Sequence, residues 1–172
     1  MKKHLWVLLV LFPVFFFASC DLSGESNYSP NIIFLRPVAN NQDTLQIDFI
    51  KGEGPVMDTI QVGDTVMFYI RLLAYSNRLT AFSLKHLPAE ASTLLLPPVS
   101  KMDSLFNSQS DYDKGDFYMD PLYSILDMSF RYVALAPSLD AKLDFMVVSD
   151  ANFEGGQGSN TTQIRLKTPI KP

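Results

Sequence analysis

From residue 31 onward, apolar side chains tend to recur at every second position. Leu45, Ile47 and Phe49 alternate with Thr44, Gln46 and Asp48, and Val66, Phe68, Ile70 and Leu72 alternate with Met67, Tyr69 and Arg71. A period of two sends successive side chains to opposite faces of a strand, so these stretches read as strands with one face turned to a core. Further strand candidates are 32–35, 57–61, 79–87, 129–135, 142–149 and 162–167. Turn-forming residues punctuate them: Lys51 to Pro55, Gly63-Asp64, Ser76-Asn77, Pro97-Pro98, Pro137-Ser138 and Glu154 to Asn160. The best helical candidates, 99–107 and 121–128, are both short. Seven to nine short strands without an amphipathic helix between them predict an all-β, antiparallel sandwich over residues 31–172.

The first thirty residues follow a different pattern. Lys2 and Lys3 precede an apolar run over 5–17, broken at Pro13, that ends in Ala18, Ser19 and Cys20. A basic start, a short apolar stretch and a small-residue end make a secretory signal, and the run is too short to cross a bilayer. Residues 1–19 are therefore expected to be removed. Phe17-Ala18-Ser19-Cys20 resembles the lipobox of bacterial lipoproteins, in which the cysteine is acylated and the peptide is cut before it. The resemblance implies lipidation at Cys20 and a lipid anchor in a bacterial cell envelope, expected at the outer membrane, with periplasmic and outward orientations both open. Two or three acyl chains anchor stably where one binds marginally. Cys20 is the only cysteine, so an internal disulfide is excluded. Residues 20–30 are polar and aperiodic, and read as the lipidated cysteine and a flexible tether.

Val62-Gly63-Asp64-Thr65-Val66 opens a long strand, 79–84 follows, and Thr161 to Lys167 forms a last strand. This succession is similar to the immunoglobulin-like or PKD-like domains of Bacteroidetes lipoproteins. The resemblance implies an immunoglobulin-like sandwich and carries no site. It departs from antibody domains, because the chain has no cysteine pair and its single tryptophan, Trp6, lies in the signal.

Composition narrows the function classes. With 47% hydrophobic residues, 11 prolines and 8 glycines, collagen-like and wholly disordered readings are excluded. Removing 1–19 takes Lys2 and Lys3 from the 14 basic residues and leaves 12 against 18 acidic ones. An acidic chain with no basic cluster is repelled by phosphate backbones, so nucleic acid is not an expected partner. Outside the signal the only histidine is His86, and no motif gives it a nucleophile and an orienting acid, so no catalytic residue is assigned and no enzyme is expected.

Four patterns remain as candidate chemistry. Asp111, Asp113 and Asp116 alternate as in a calcium loop, although the EF-hand spacing fails: Asp116 stands where glycine is needed and Leu122 where the bidentate glutamate is needed. Phe106, Tyr112, Phe117, Tyr118 and Tyr123 share one stretch with several polar residues and are the candidate contacts for a ligand or partner, unless they fold back to cap the sandwich. Thr44, Thr59, Thr65 and Ser104 sit in Asp-Ser/Thr-aliphatic triplets that resemble the periplasmic O-glycosylation signal of Bacteroidetes; the same triplet also hands a turn over to a strand. The glycine-rich 154–159 precedes a strand and not a helix, and reads as a hairpin between the last two strands. Together these point to a lipid-anchored, non-catalytic envelope module that binds a protein or glycan. The alternative is a structural subunit or spacer of a surface assembly, such as a pilus or a polysaccharide-uptake complex.

Overall fold

The structure, a computed structural model, describes residues 28–40, 42–50, 54–119, 123–153 and 158–172. The expected signal peptide, Cys20, the tether up to residue 27 and the glycine-rich stretch 154–157 lie outside the described residues.

The fold is an all-β sandwich. Its strands are β1 (Asn31–Ala39), β2 (Asp43–Thr44), β3 (Ile47–Ile50), β4 (Gly54–Met57), β5 (Ile60–Gln61), β6 (Thr65–Leu73), β7 (Leu79–Leu87), β8 (Ser92–Leu95), β9 (Asp116–Tyr118), β10 (Ile125–Ala134), β11 (Lys142–Ser149), β12 (Thr161–Lys167) and β13 (Ile170–Lys171). One sheet runs β2-β1-β6-β10-β8 and the other β3-β4-β12-β11-β7-β9, with β13 beside β5. The pairs are antiparallel except β12 with β4 and β13 with β5. With β1, β6, β10 and β8 in one sheet and β7, β11 and β12 in the other, the strand order is that of an immunoglobulin-type sandwich, A-B-E-D facing C-F-G. The segment between β8 and β10 is an insertion on that plan, and it sends β9 back to pair beside β7.

Alternation explains the layers. Val66, Phe68, Ile70 and Leu72 of β6 are all fully buried, as are Leu143 and Val147 of β11, and their neighbours in sequence face outward. The core is aromatic at its centre: Phe68 stacks on Phe130 at 5.1 Å between ring centroids, and Phe145 reaches across from the second sheet to Phe34 at 5.1 Å and Phe130 at 6.1 Å. The phenol of Tyr132 is fully buried and shares a 2.9 Å hydrogen bond with the buried Thr168 hydroxyl, so neither oxygen is left unsatisfied. The register of β1 against β6 shifts between Leu35 and Val38, at Pro37, a residue with no N–H to give the ladder.

Several expected elements change. Of the expected 121–128 helix, residues 121 and 122 lie outside the described residues, and the rest gives way to β10, which begins at Ile125 because its apolar alternation finds β6 as a partner across the full register from Leu73 to Thr65. The 99–107 helix shrinks to one short element, α1 (Val99–Met102), capped by Pro98 and followed by turns. The expected strand at 57–61 splits into the end of β4 and all of β5. β8 and β9 had no period-two signal long enough to mark them.

Candidate functional site

The two sheets part between β7 and β8, and the insertion builds over the gap. The resulting cleft has a volume of about 590 Å³ and is lined by Leu84, His86, Leu94, Met102, Tyr112 and Phe117, with Lys85 and Lys114 also on its wall. On that side β9 pairs with β7 only over Ala81 to Ser83, and β8 is the last strand of its sheet. The walls of the cleft are therefore two strand edges.

The covering hairpin is held from several directions. Asp111 and Asp116 exchange backbone hydrogen bonds of 2.8 and 3.0 Å, which closes a four-residue loop over Tyr112 to Gly115. Gly115 has φ of +70°, and its carbonyl accepts the Leu84 N–H at 2.9 Å. A Cβ at this position would lie 2.0 Å from the Leu84 carbonyl oxygen, so no other residue fits without moving backbone. The Tyr112 ring packs on Phe117 at 5.9 Å, and its hydroxyl donates to Asp103 Oδ1 at 2.7 Å. That bond ties the hairpin to the turn after α1. Burial, and then the Asp103 carboxylate, push the Tyr112 phenol up to about 12, so it stays a donor over the physiological range.

The cations of the cleft are partnered. Lys114 Nζ lies 2.7 Å from Asp111 Oδ2, which holds the lysine above its usual range and the carboxyl below it. Lys85 Nζ lies 3.3 Å from Asp116 Oδ1, which also accepts the Ser83 hydroxyl at 3.0 Å. The half-buried His86 ring has its Nδ1 3.2 Å from Ser92 Oγ, and burial lowers its pKa, favouring the neutral imidazole. Ser92 is itself buried, so its hydroxyl is closed to a substrate.

The candidate residues distribute unevenly. Phe106 and Phe117 are 5% and 1% exposed and join the core; large rings bury where the sandwich end needs filling. Of the five, Tyr112 and Phe117 line the cleft. Tyr118 is 44% exposed and points to the outer face of its sheet, because it follows the inward-facing Phe117 on β9. Tyr123 donates to the Ser104 carbonyl at 3.4 Å.

The three aspartates of the calcium reading do not converge. Asp111 and Asp116 are engaged by lysines and by Ser83, Asp113 lies exposed in the hairpin loop, and no group of three metal-ligating side chains occurs among the described residues. Thr44, Thr59 and Ser104 are exposed and Thr65 is partly so. Two of the neighbouring aspartates do turn work: Asp58 accepts the Gln46 N–H and Asp64 the Gln61 N–H, both at 2.8 Å. Sequence reading missed β8, whose Leu94 and neighbouring Leu96 line the cleft. The apolar run before Pro97-Pro98 was the available signal.

Fold and cleft together define an immunoglobulin-type sandwich with an insertion that roofs one side. No family model and no curated protein matches the chain. Among solved structures it is similar to the S-layer protein SbsC domains 4 and 5, with a TM-score of 0.32 and 11% identity, over 77% of this chain and 46% of that one. The chain thus spans less than half of that neighbour's length.

Proposed function

We propose that the protein is a lipid-anchored, non-catalytic binding module of the cell envelope, and that it holds an extended segment of a protein partner in the cleft between β7 and β8. The observation that carries this reading is the cleft itself: an apolar floor between two strand edges, roofed by a hairpin fastened through Gly115 and Tyr112. Strand edges offer backbone donors and acceptors in register, and an added strand uses them while its alternate side chains enter pockets. A glycan fits less well. Sugar binding stacks rings on exposed flat aromatics, and here Phe106 and Phe117 are buried while the Tyr112 ring packs on Phe117.

A photo-crosslinking residue placed at the exposed Val99, on the cleft rim, tests the reading in cells. The expected product is a discrete protein adduct whose crosslinked peptide has alternating apolar residues. A synthetic copy of that peptide should bind the purified protein, and Val99→Glu should abolish binding with an unchanged melting temperature. An adduct with a glycan, or a peptide whose binding ignores Val99→Glu, refutes the cleft as a protein site.

A further inference from the structure

We infer that the end of the sandwich at which the chain enters lies on the lipid surface, with Tyr28 and Tyr75 seated in the headgroup layer. This rests on the anchoring at Cys20 proposed above and deepens it, because it says which end of the domain faces the bilayer.

Seven residues, Asp21 to Asn27, and so eight Cα-to-Cα steps, separate the anchoring position at Cys20 from Tyr28. Fully extended they reach at most about 29 Å. Tyr28 is the point where that reach is spent, since the chain is already fastened there. Its ring lies 5.3 Å from the Tyr75 ring, the Ser29 hydroxyl accepts the Ser159 N–H at 3.2 Å, and the Pro30 carbonyl accepts the Thr162 hydroxyl. These contacts put the entry point at the end of the sandwich that also holds the turn after β6 and the start of β10. From there β10, at ten residues, runs about 33 Å toward the opposite end. The exposed Val62, Leu135 and Leu139 at that far end are therefore held off the bilayer when the strands stand upright.

The near end has the side chains for an interface. Tyr28 is 61% exposed and Tyr75 43%, with the exposed Ile125 at the same end. Tyrosine is apolar along its ring and polar at its tip, which suits the boundary between headgroups and acyl chains. Tyr75 also sits at φ of +59°, a left-handed backbone that disfavours a bulky ring and that glycine or asparagine would adopt more readily. A structure that keeps a costly aromatic at an exposed turn, against a second exposed aromatic, points to a use for both. Acyl chains supply the affinity, so contact by two rings is an intramolecular event and a weak interaction suffices to orient the domain.

The test uses the full chain with Trp6→Phe, so that an introduced tryptophan is the only one. Tyr75→Trp reports the near end, Leu139→Trp the far end, and Tyr28→Trp serves as a second near-end reporter should the turn not accept the larger ring. On phosphatidylcholine vesicles with brominated acyl chains, the near-end tryptophans should shift to shorter emission wavelength and lose most of their intensity. Trp at position 139 should keep both. Equal quenching at both ends, or none at the near end of an anchored protein, overturns the inference. The mass of the same preparation reads lipidation separately. If Cys20 is unmodified, the anchoring reading fails, and the thiol, unique in the chain, is coupled to a maleimide phospholipid so that the orientation is still decided.

Discussion

Two openings of the sandwich differ in how they are built, and the larger of the two is the plainer one. Between β1 and β3 lies a groove of about 690 Å³, against about 590 Å³ for the cleft between β7 and β8. The groove is lined by Phe34, Leu45, Ile47, Phe49 and Ile164, with Phe49 73% exposed on its rim. Among the described residues nothing is built over it, and β2 meets β1 only at Val38 and Ala39. The cleft has a similar apolar floor, but a roof fastened to Leu84 and Asp103, two lysines with carboxylate partners and a neutral imidazole converge on it. Recognition depends on few, well-held polar groups against an apolar surface, and volume alone does not supply them. The insertion between β8 and β10 makes the difference.

That contrast can be broken most forcefully at Phe117. If the roof is continuous with the core, Phe117→Ala should cost about 3–5 kcal/mol and lower the melting temperature, as deletions of buried aromatics do. A loss below about 1 kcal/mol would mean the roof is only loosely attached, like an ordinary surface substitution. Next comes Gly115→Ala, which forces a side chain into a left-handed backbone at a cost of about 1–2 kcal/mol and meets the Leu84 carbonyl besides. Amide exchange at Leu84 should accelerate, because its hydrogen bond to Gly115 is the hairpin's fastening. An unchanged Leu84 amide would show that the hairpin is held elsewhere.

Tyr112→Phe should have a smaller effect, about 1 kcal/mol for one hydrogen bond, with a pH signature. The folded phenol keeps its proton up to about 12, whereas the unfolded one loses it near its ordinary value of 10. The contribution is therefore fully present below pH 10 and declines as pH rises from 10 toward 12. Stability curves of wild type and variant should converge across that window, and parallel curves would remove Asp103 as the partner. The smallest effect is expected in the open groove: Phe49→Ser should leave stability within about 0.5 kcal/mol. A large drop there would make the groove part of the core and end the comparison.

How much of this was legible depends on whether the signal is local. β6 and β11 were readable because alternation over eight or nine residues needs no knowledge of a partner. β8 and β9, at four and three residues, become strands only through β10 and β7. The five aromatics of the insertion were visible as a cluster, yet chemistry could not sort them. Phe117 and Tyr118 are adjacent, so a strand must send them to opposite faces, but only the position of the second sheet says which face is inside.

The sequence by itself determined the class of fold, because a period of two with frequent turn residues leaves β layers as the way to bury the apolar positions. It also determined that no internal disulfide could hold those layers together. The tertiary structure decided the strand order, the return of the insertion to the edge of β7, the pairing of Asp111 and Asp116 with lysines, and the place of His86 and Tyr112 on one cleft. The physical reason is range. Alternation and turn preference act between near neighbours in the chain, whereas the Leu84 to Gly115 bond, the Lys85 to Asp116 pair and the Phe82 to Phe117 stack each join residues about thirty positions apart. Such contacts exist only once the sheets have paired.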